Sequence, residues 1–339
     1  MTDCFPAEIL SPQDDPDGED KEKDMLDFRE FKSELIASCR SNIASFTDCF
    51  GCGDIEIEER SVTKAQRGPL NGLIFRGPET VAAPTYYVED FYHMYRNGAS
   101  ISELSFDITQ NAFHYIHEDP PMTFDESAKS FEDASNLRVR LINSSRNGEL
   151  LSTVPHRETG CGLSLIPEVR SGPYRAVVTR ELMKSFGISD PDLMLIALAN
   201  TAAFDEPVLA DLTEMLSLGQ DNCENLLLKG FSTEPLPAPD SLYVLTNEKF
   251  FWGASVLMYP GMTSRLSSLL GGDFYVLPSS VHEVLLLPAS MGDPDKLLET
   301  IHEGNRTVVN EEDFLSDDLI ICENGDLKIF TPSGSCSAS

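Results

Sequence analysis

Apolar and polar positions along the chain repeat with two different periods. Leu26, Phe31, Leu35, Ile36 and Ile43 recur at roughly helical spacing, which predicts an amphipathic helix from Met25 to Ser45. "DIEIEERSV" alternates strictly and reads as a strand. "GLIFRG" and "PTYYV" read as two more strands, the last running into a helix "EDFYHMYRNG" with Gly98 at its C-terminal cap. Helical pattern continues to about residue 133, interrupted at Pro120-Pro121. The first half is therefore α-β-β-β-α in outline.

In the second half, "NLRVRLIN" places Val139 and Leu141 on one face and Arg138, Arg140 and Ile142 on the other. "YRAVVT" is a strand, followed by a helix from Arg180. "GISDPDLMLIALANT" is a helix with Ser189 as N-cap and Pro191 close behind. "SLYVLTNE" and "FWGASVLMY" read as paired strands, and "PGMTSRLSSLLGG" as a helix. "DFYVLPSS" and "VHEVLLLPAS" are strands, and "DPDKLLETIHEGNRT" is a helix. "DLIICENGDLKIF" is a hairpin turning at Asn324-Gly325. The order β-β-α-β-β-α-β-β predicts an α+β class: two α+β units, the second with a largely antiparallel sheet flanked by helices. The domains are a 25–135 N-terminal unit and a 136–330 C-terminal unit, the latter containing a Pro-rich loop over 219–241. The ends, 1–24 and 331–339, read as disordered tails, and the first carries nine acids against two lysines.

Composition narrows the partners. The 339 residues carry 56 acids against 25 bases, a formal net charge of −31. Such a surface repels phosphate backbones, so direct binding to nucleic-acid backbones or anionic membranes is not expected. A protein partner with a basic surface suits it, and an acidic mimic of nucleic acid is a minor alternative. No basic stretch followed by an apolar one opens the chain, and no apolar run reaches the roughly 18 residues of a spanning helix, so a cytoplasmic protein is expected. Oligomeric state is not legible.

Candidate chemistry is sparse. Cys49 and Cys52 form a CxxC, but no second pair follows at zinc-finger spacing, and it trails a helix instead of opening one, so it reads as a loop. His114 and His117 form an HxxH without the carboxylate pattern of a metalloenzyme and read as a helix end. No metal site and no cofactor is expected. Residues 138–184 are locally basic, with Arg138, Arg140, Arg146, Arg157, Arg170, Arg175, Arg180 and Lys184 against Glu149, Glu158, Glu168 and Glu181. These bases either neutralise the protein's own acids or, with Arg138 and Arg140, line a pocket for an anionic ligand.

The remaining candidates centre on "LPSSVHE". If Val281–Pro288 is extended, His282 and Glu283 point to opposite faces and cannot form a dyad. Ser280 and His282 share a face, so they are the candidate nucleophile and base of a hydrolase, though neither an orienting acid nor an oxyanion hole is visible. Asn200 and Asn305 fall on apolar helix faces. They could satisfy His282, one another or backbone groups in a closed core, or line a ligand pocket joined by Asn247 and Ser279.

The succession "RLINSSRNGELLSTVPH", "ISDPDLMLIALANT", "YVLTNEKFFWGASVLMYPG", "DFYVLPSSVHEVLLLPA" and "NEEDFLSDDLI" resembles an uncharacterised family of intestinal Firmicutes, domain of unknown function family 5688. The likeness spans roughly 27 to 330 and is most specific around "LPSSVHE". It implies an intracellular protein, some members lying near mobile elements, and it brings no activity, cofactor or catalytic residue. The acidic tail and the polar "HRETGCGLSLIP" depart from the family pattern. Together these readings predict a non-enzymatic binding or regulatory protein, associated with mobile elements by the resemblance. The alternative is a small-molecule-binding or hydrolytic enzyme with its pocket at the Ser280/His282 strand.

Overall fold

The computed structural model describes residues 25–50, 55–65, 67–77, 83–117, 133–171, 174–219, 222–228, 236 and 242–331. The chain forms two compact units, one of residues 1–64 and 69–130 and the other of 65–68 and 131–339. The expected tails, Cys52 and Pro120-Pro121 lie outside the described residues.

In the first unit, helix α1 (Phe28–Phe50) starts three residues later and runs five further than the pattern predicts. A capping box fixes its start. The Asp27 carboxylate accepts from Glu30 N at 2.8 Å, and Glu30 Oε2 accepts from Asp27 N at 3.3 Å. Strands β1 (Glu56–Lys64), β2 (Gly68–Arg76) and β3 (Thr85–Tyr87) form a sheet in that order. Helices α2 (Val88–Arg96) and α3 (Ile101–His117) follow. Phe31, Leu35, Cys39, Leu73, Phe75, Val88, Leu104 and Ile108 meet in one core. His114 is exposed on α3.

The second unit is built on two sheets rather than the one expected. The first contains β4 (Leu137–Asn143), β5 (Arg157–Glu158), β6 (Leu163–Ser171) and β7 (Tyr174–Val177), with β6 paired to all three others. Strands β5 and β6 fall in a stretch whose pattern predicted no strand. Strand β6 carries Pro167, and proline removes a ladder donor. Here it is tolerated because β5 pairs as far as Leu165 and β7 begins at Glu168, leaving a gap beside Pro167.

Helix α4 (Gly148–Thr153) lies between β4 and β5; after β7 come α5 (Arg180–Phe186), α6 (Asp190–Phe204), the second sheet's first strand β8 (Pro207–Asp211) and α7 (Leu212–Leu218). Ser189 caps α6 by accepting from Asp192 N, as its sequence predicts. Within the expected Pro-rich loop, Leu226–Leu228 form a 3-10 turn that buries Leu226 and Leu227. The second sheet adds β9 (Tyr243–Asn247), β10 (Phe274–Leu277), β11 (Val284–Pro288), β12 (Ile320–Glu323) and β13 (Asp326–Ile329), with helices α8 (Met262–Leu270) and α9 (Pro294–Thr307). Its order is β13-β12-β10-β11-β9-β8, every pairing antiparallel. The hairpin β12–β13 turns at Asn324 and Gly325, both left-handed.

Alternation distributes the second sheet's side chains. Phe274, Val276, Leu286 and Leu245 face a core shared with Val139, Leu141, Leu165 and Val169 of the first sheet. Tyr275, Leu277, Leu287 and Ile321 face Leu297 and Ile301 of α9. Cys322 sits in the shared core as a small apolar residue, as expected. Burying a leucine or phenylalanine in these cores stabilises by about 1.5–3 kcal/mol. The expected strand "FWGASVLMY" is instead a 3-10 helix, Gly253–Met258. Phe250 and Trp252 adopt left-handed φ values of 49° and 54°, which extended backbone forbids. The α+β class stands. Among the described residues, no helix is long and apolar enough to cross a membrane.

Candidate functional site

The site grows from the alternation of β4, β6 and β7. Arg138 pairs in register with Glu168, Arg140 with Ile166, and Arg170 with Arg175. Cross-strand partners share a face, so Arg138, Arg140, Glu168, Arg170 and Arg175 project together, opposite Val139 and Leu141. The turn after β9 covers them. Arg140, Arg170 and Arg175 lie 4.5, 5.0 and 4.8 Å from the Trp252 ring centroid. Arg175 also lies 4.2 Å over Phe251, and Arg138 lies 4.5 Å over Phe204.

Two features hold Trp252 there. Asn247 accepts from Lys249 N at 3.0 Å and Phe251 N at 3.3 Å, and donates to Phe251 O at 2.9 Å. Gly253 then lets the chain pass against β9: a Cβ there would meet Thr246 Oγ1 at 2.2 Å and Asn247 N and His282 O at 2.6 Å. Asn247, expected as a ligand residue, is occupied in building this turn.

Strand β11 begins at Val284, so residues 280–283 form a turn rather than the strand start expected. His282 Nδ1 accepts from Trp252 N at 3.1 Å, which assigns the proton to Nε2, 3.0 Å from Asp313 Oδ1. Val281 N donates to Asp313 O at 2.8 Å and keeps that loop in place. The hydrogen bond from His282 holds the Asp313 carboxyl below its ordinary value. Ser280 Oγ donates to Glu283 Oε1 at 3.0 Å and accepts from His282 N. Ser279 Oγ lies 3.5 Å from the same Glu283 oxygen. The Ser280 hydroxyl and the His282 ring are thus bonded to different groups. Asp313, the orienting acid that sequence reasoning missed, lies 31 residues from His282 and carries no local signal.

Asn200 and Asn305 do not join His282 but bond mainly to backbone carbonyls. Asn200 donates to Ala134 O at 2.8 Å and Leu137 O at 3.2 Å, and Asn305 to Ser316 O and Asp317 Oδ1, each at 2.9 Å. Both tie neighbouring main-chain carbonyls to a helix.

The carboxylates around Trp252 are engaged. Glu168 takes Arg170 Nε, and Asp205 takes Arg170 Nη1 at 2.8 Å and Lys249 Nζ at 2.6 Å. Burial pushes the Arg170 guanidinium down, but Glu168 and Asp205 outweigh it and leave the group above its ordinary value. For Arg140 burial wins against the pull of Glu168 and Asp313, and the group is lowered. Among the described residues, the buried Nε of Arg140 and Nη2 of Arg170 have no hydrogen-bond partner.

Fold and site together define a two-unit α+β protein with an arginine–aromatic centre on the polar face of an antiparallel sheet. The chain belongs to the family of unknown function DUF5688, whose model matches residues 28–321. No curated protein and no solved structure matches it.

Proposed function

We propose that the chain is a non-enzymatic binding or regulatory protein of the cytoplasm. One observation carries this reading: both ring nitrogens of His282 are occupied, by Trp252 N–H and by Asp313, and the Ser280 hydroxyl donates to Glu283. A general base needs a free nitrogen within reach of the proton it removes, and the Ser280–His282 arrangement offers none. The histidine acts as a strut between the Trp252 turn and the Asp313 loop. Buried cysteines Cys39, Cys161 and Cys322, which form no disulfide among the described residues, support a reducing compartment. The test is hydrolysis of p-nitrophenyl acetate by the full chain and by Ser280→Ala. Equal rates at background level are expected, and a Ser280-dependent rate would overturn the proposal.

A further inference from the structure

We infer that Arg140 and Arg170, held against Trp252, form a recognition site for a small oxyanion, a carboxylate or phosphate group presented from outside the chain. The inference rests on the binding reading above and names the chemistry of its ligand. Arg140 is only 9% exposed, yet its Nε has no acceptor, and it enters no ion pair among the described residues. Folded proteins rarely leave a buried donor unpaired, because desolvation is then uncompensated. Each neighbouring carboxylate is bonded to another group, and among the described residues none accepts from Arg140. Glu168 is held by Arg170, Asp205 by Arg170 and Lys249, and Asp313 by His282 and Asn310. Arg170 repeats the pattern with its buried Nη2.

Charge argues the same way. Three guanidinium groups within 5.0 Å of one ring centroid repel one another, and an anion among them removes that repulsion. The indole face fixes the guanidinium planes. A planar fork of N–H donors matches the two oxygens of a carboxylate or phosphate. Trp252 and Arg175 keep partial exposure, so the centre is reachable from solvent.

Trp252 is the single tryptophan of the chain and reports on the site directly. The experiment titrates the full chain with sodium phosphate and, separately, with sodium succinate, each against sodium chloride at equal ionic strength, reading tryptophan emission. A saturable change with an oxyanion and none with chloride is expected. Response to phosphate alone identifies a phosphate group, to succinate alone a carboxylate, and to both a site that accepts either. Arg140→Lys keeps the charge but loses the fork, and should weaken binding roughly tenfold or more, the worth of one charge-assisted hydrogen bond. The inference is overturned by a flat titration with both oxyanions, by an equal response to chloride, or by unchanged affinity in Arg140→Lys. If that variant does not fold, wild-type melting decides: a midpoint raised by phosphate or succinate over chloride supports the site, and no rise overturns it. Ser280-dependent hydrolysis with an intact titration would refute only the non-enzymatic reading. A flat titration without hydrolysis would refute only the oxyanion site.

Discussion

Gly253→Ala is the sharpest probe of how the Trp252 turn is held. The added methyl would lie 2.2 Å from Thr246 Oγ1 and 2.6 Å from both Asn247 N and His282 O. Two of these are main-chain atoms, one on β9 and one in the 280–283 turn, and neither can swing aside. Thr246 could rotate, but only by giving up its 2.8 Å hydrogen bond to His282 O. Overpacking a filled site costs about 1–3 kcal/mol and a lost hydrogen bond about 1 kcal/mol, so roughly 2–4 kcal/mol is expected in total. For a unit of this size, that lowers the melting midpoint by roughly 4 to 16 °C. Urea unfolding followed by Trp252 emission and, independently, by far-UV circular dichroism measures it. Two probes are needed because Trp252 adjoins the substitution and would respond to a purely local shift. Gly304→Ala, in α9 with nothing within 4 Å of the new methyl, is the control. It should be neutral or stabilise by about 0.5–1 kcal/mol, since alanine is the better helix former. A Gly253→Ala stability within about 0.5 kcal/mol of wild type, at unchanged slope, would refute the claim that close approach dictates glycine here.

Two further outcomes follow from titrating groups held inside the fold. Asp313 is held below its ordinary value by His282. On acidification the unfolded chain therefore takes up that proton first, near pH ~3.9. The resulting stability is whole above that value and is lost as pH falls through the lower folded one. Asp313→Asn should flatten the acid limb of urea midpoints, and an unchanged limb would show that the pair contributes nothing. Burial pushes the Cys39 thiol up to about 11. Iodoacetamide at neutral pH should leave Cys39 unmodified in the native protein and modify it in urea, as peptide mass spectrometry would show. Rapid native labelling would contradict its place in the first core.

The sequence disclosed elements wherever one local rule governed them. Ser189-Asp-Pro announced the start of α6, and Asn324-Gly325 announced the β12–β13 turn. It misled where local rules conflicted with tertiary ones. The pattern predicts no strand over β6, which carries Pro167, and the gap between β5 and β7 absorbs its missing donor. Residues 251–259 are apolar enough for a strand, but the left-handed backbone at Phe250 and Trp252 is set by Asn247 and the close approach of Gly253, which no periodicity encodes. The site shows the same division. Alternation placed Arg138 and Arg140 on one face. Register with β6 and β7, which adds Glu168, Arg170 and Arg175, is a pairing between distant segments and left no local trace. Asp313 was hidden for the same reason, while Asn200 and Asn305 sat on plausible faces and found backbone partners elsewhere.

Strand β6 is hydrogen-bonded to β4 along one side and to β5 and β7 along the other. Glu168 and Arg170 therefore ride on the strand of that sheet with least freedom to move. A guest at the Trp252 centre would meet groups whose positions were fixed when the sheet formed, so little ordering cost falls on the binding step. Selectivity at such a centre comes from fit to a fixed template, and a guest of the wrong shape has no softer arrangement to induce.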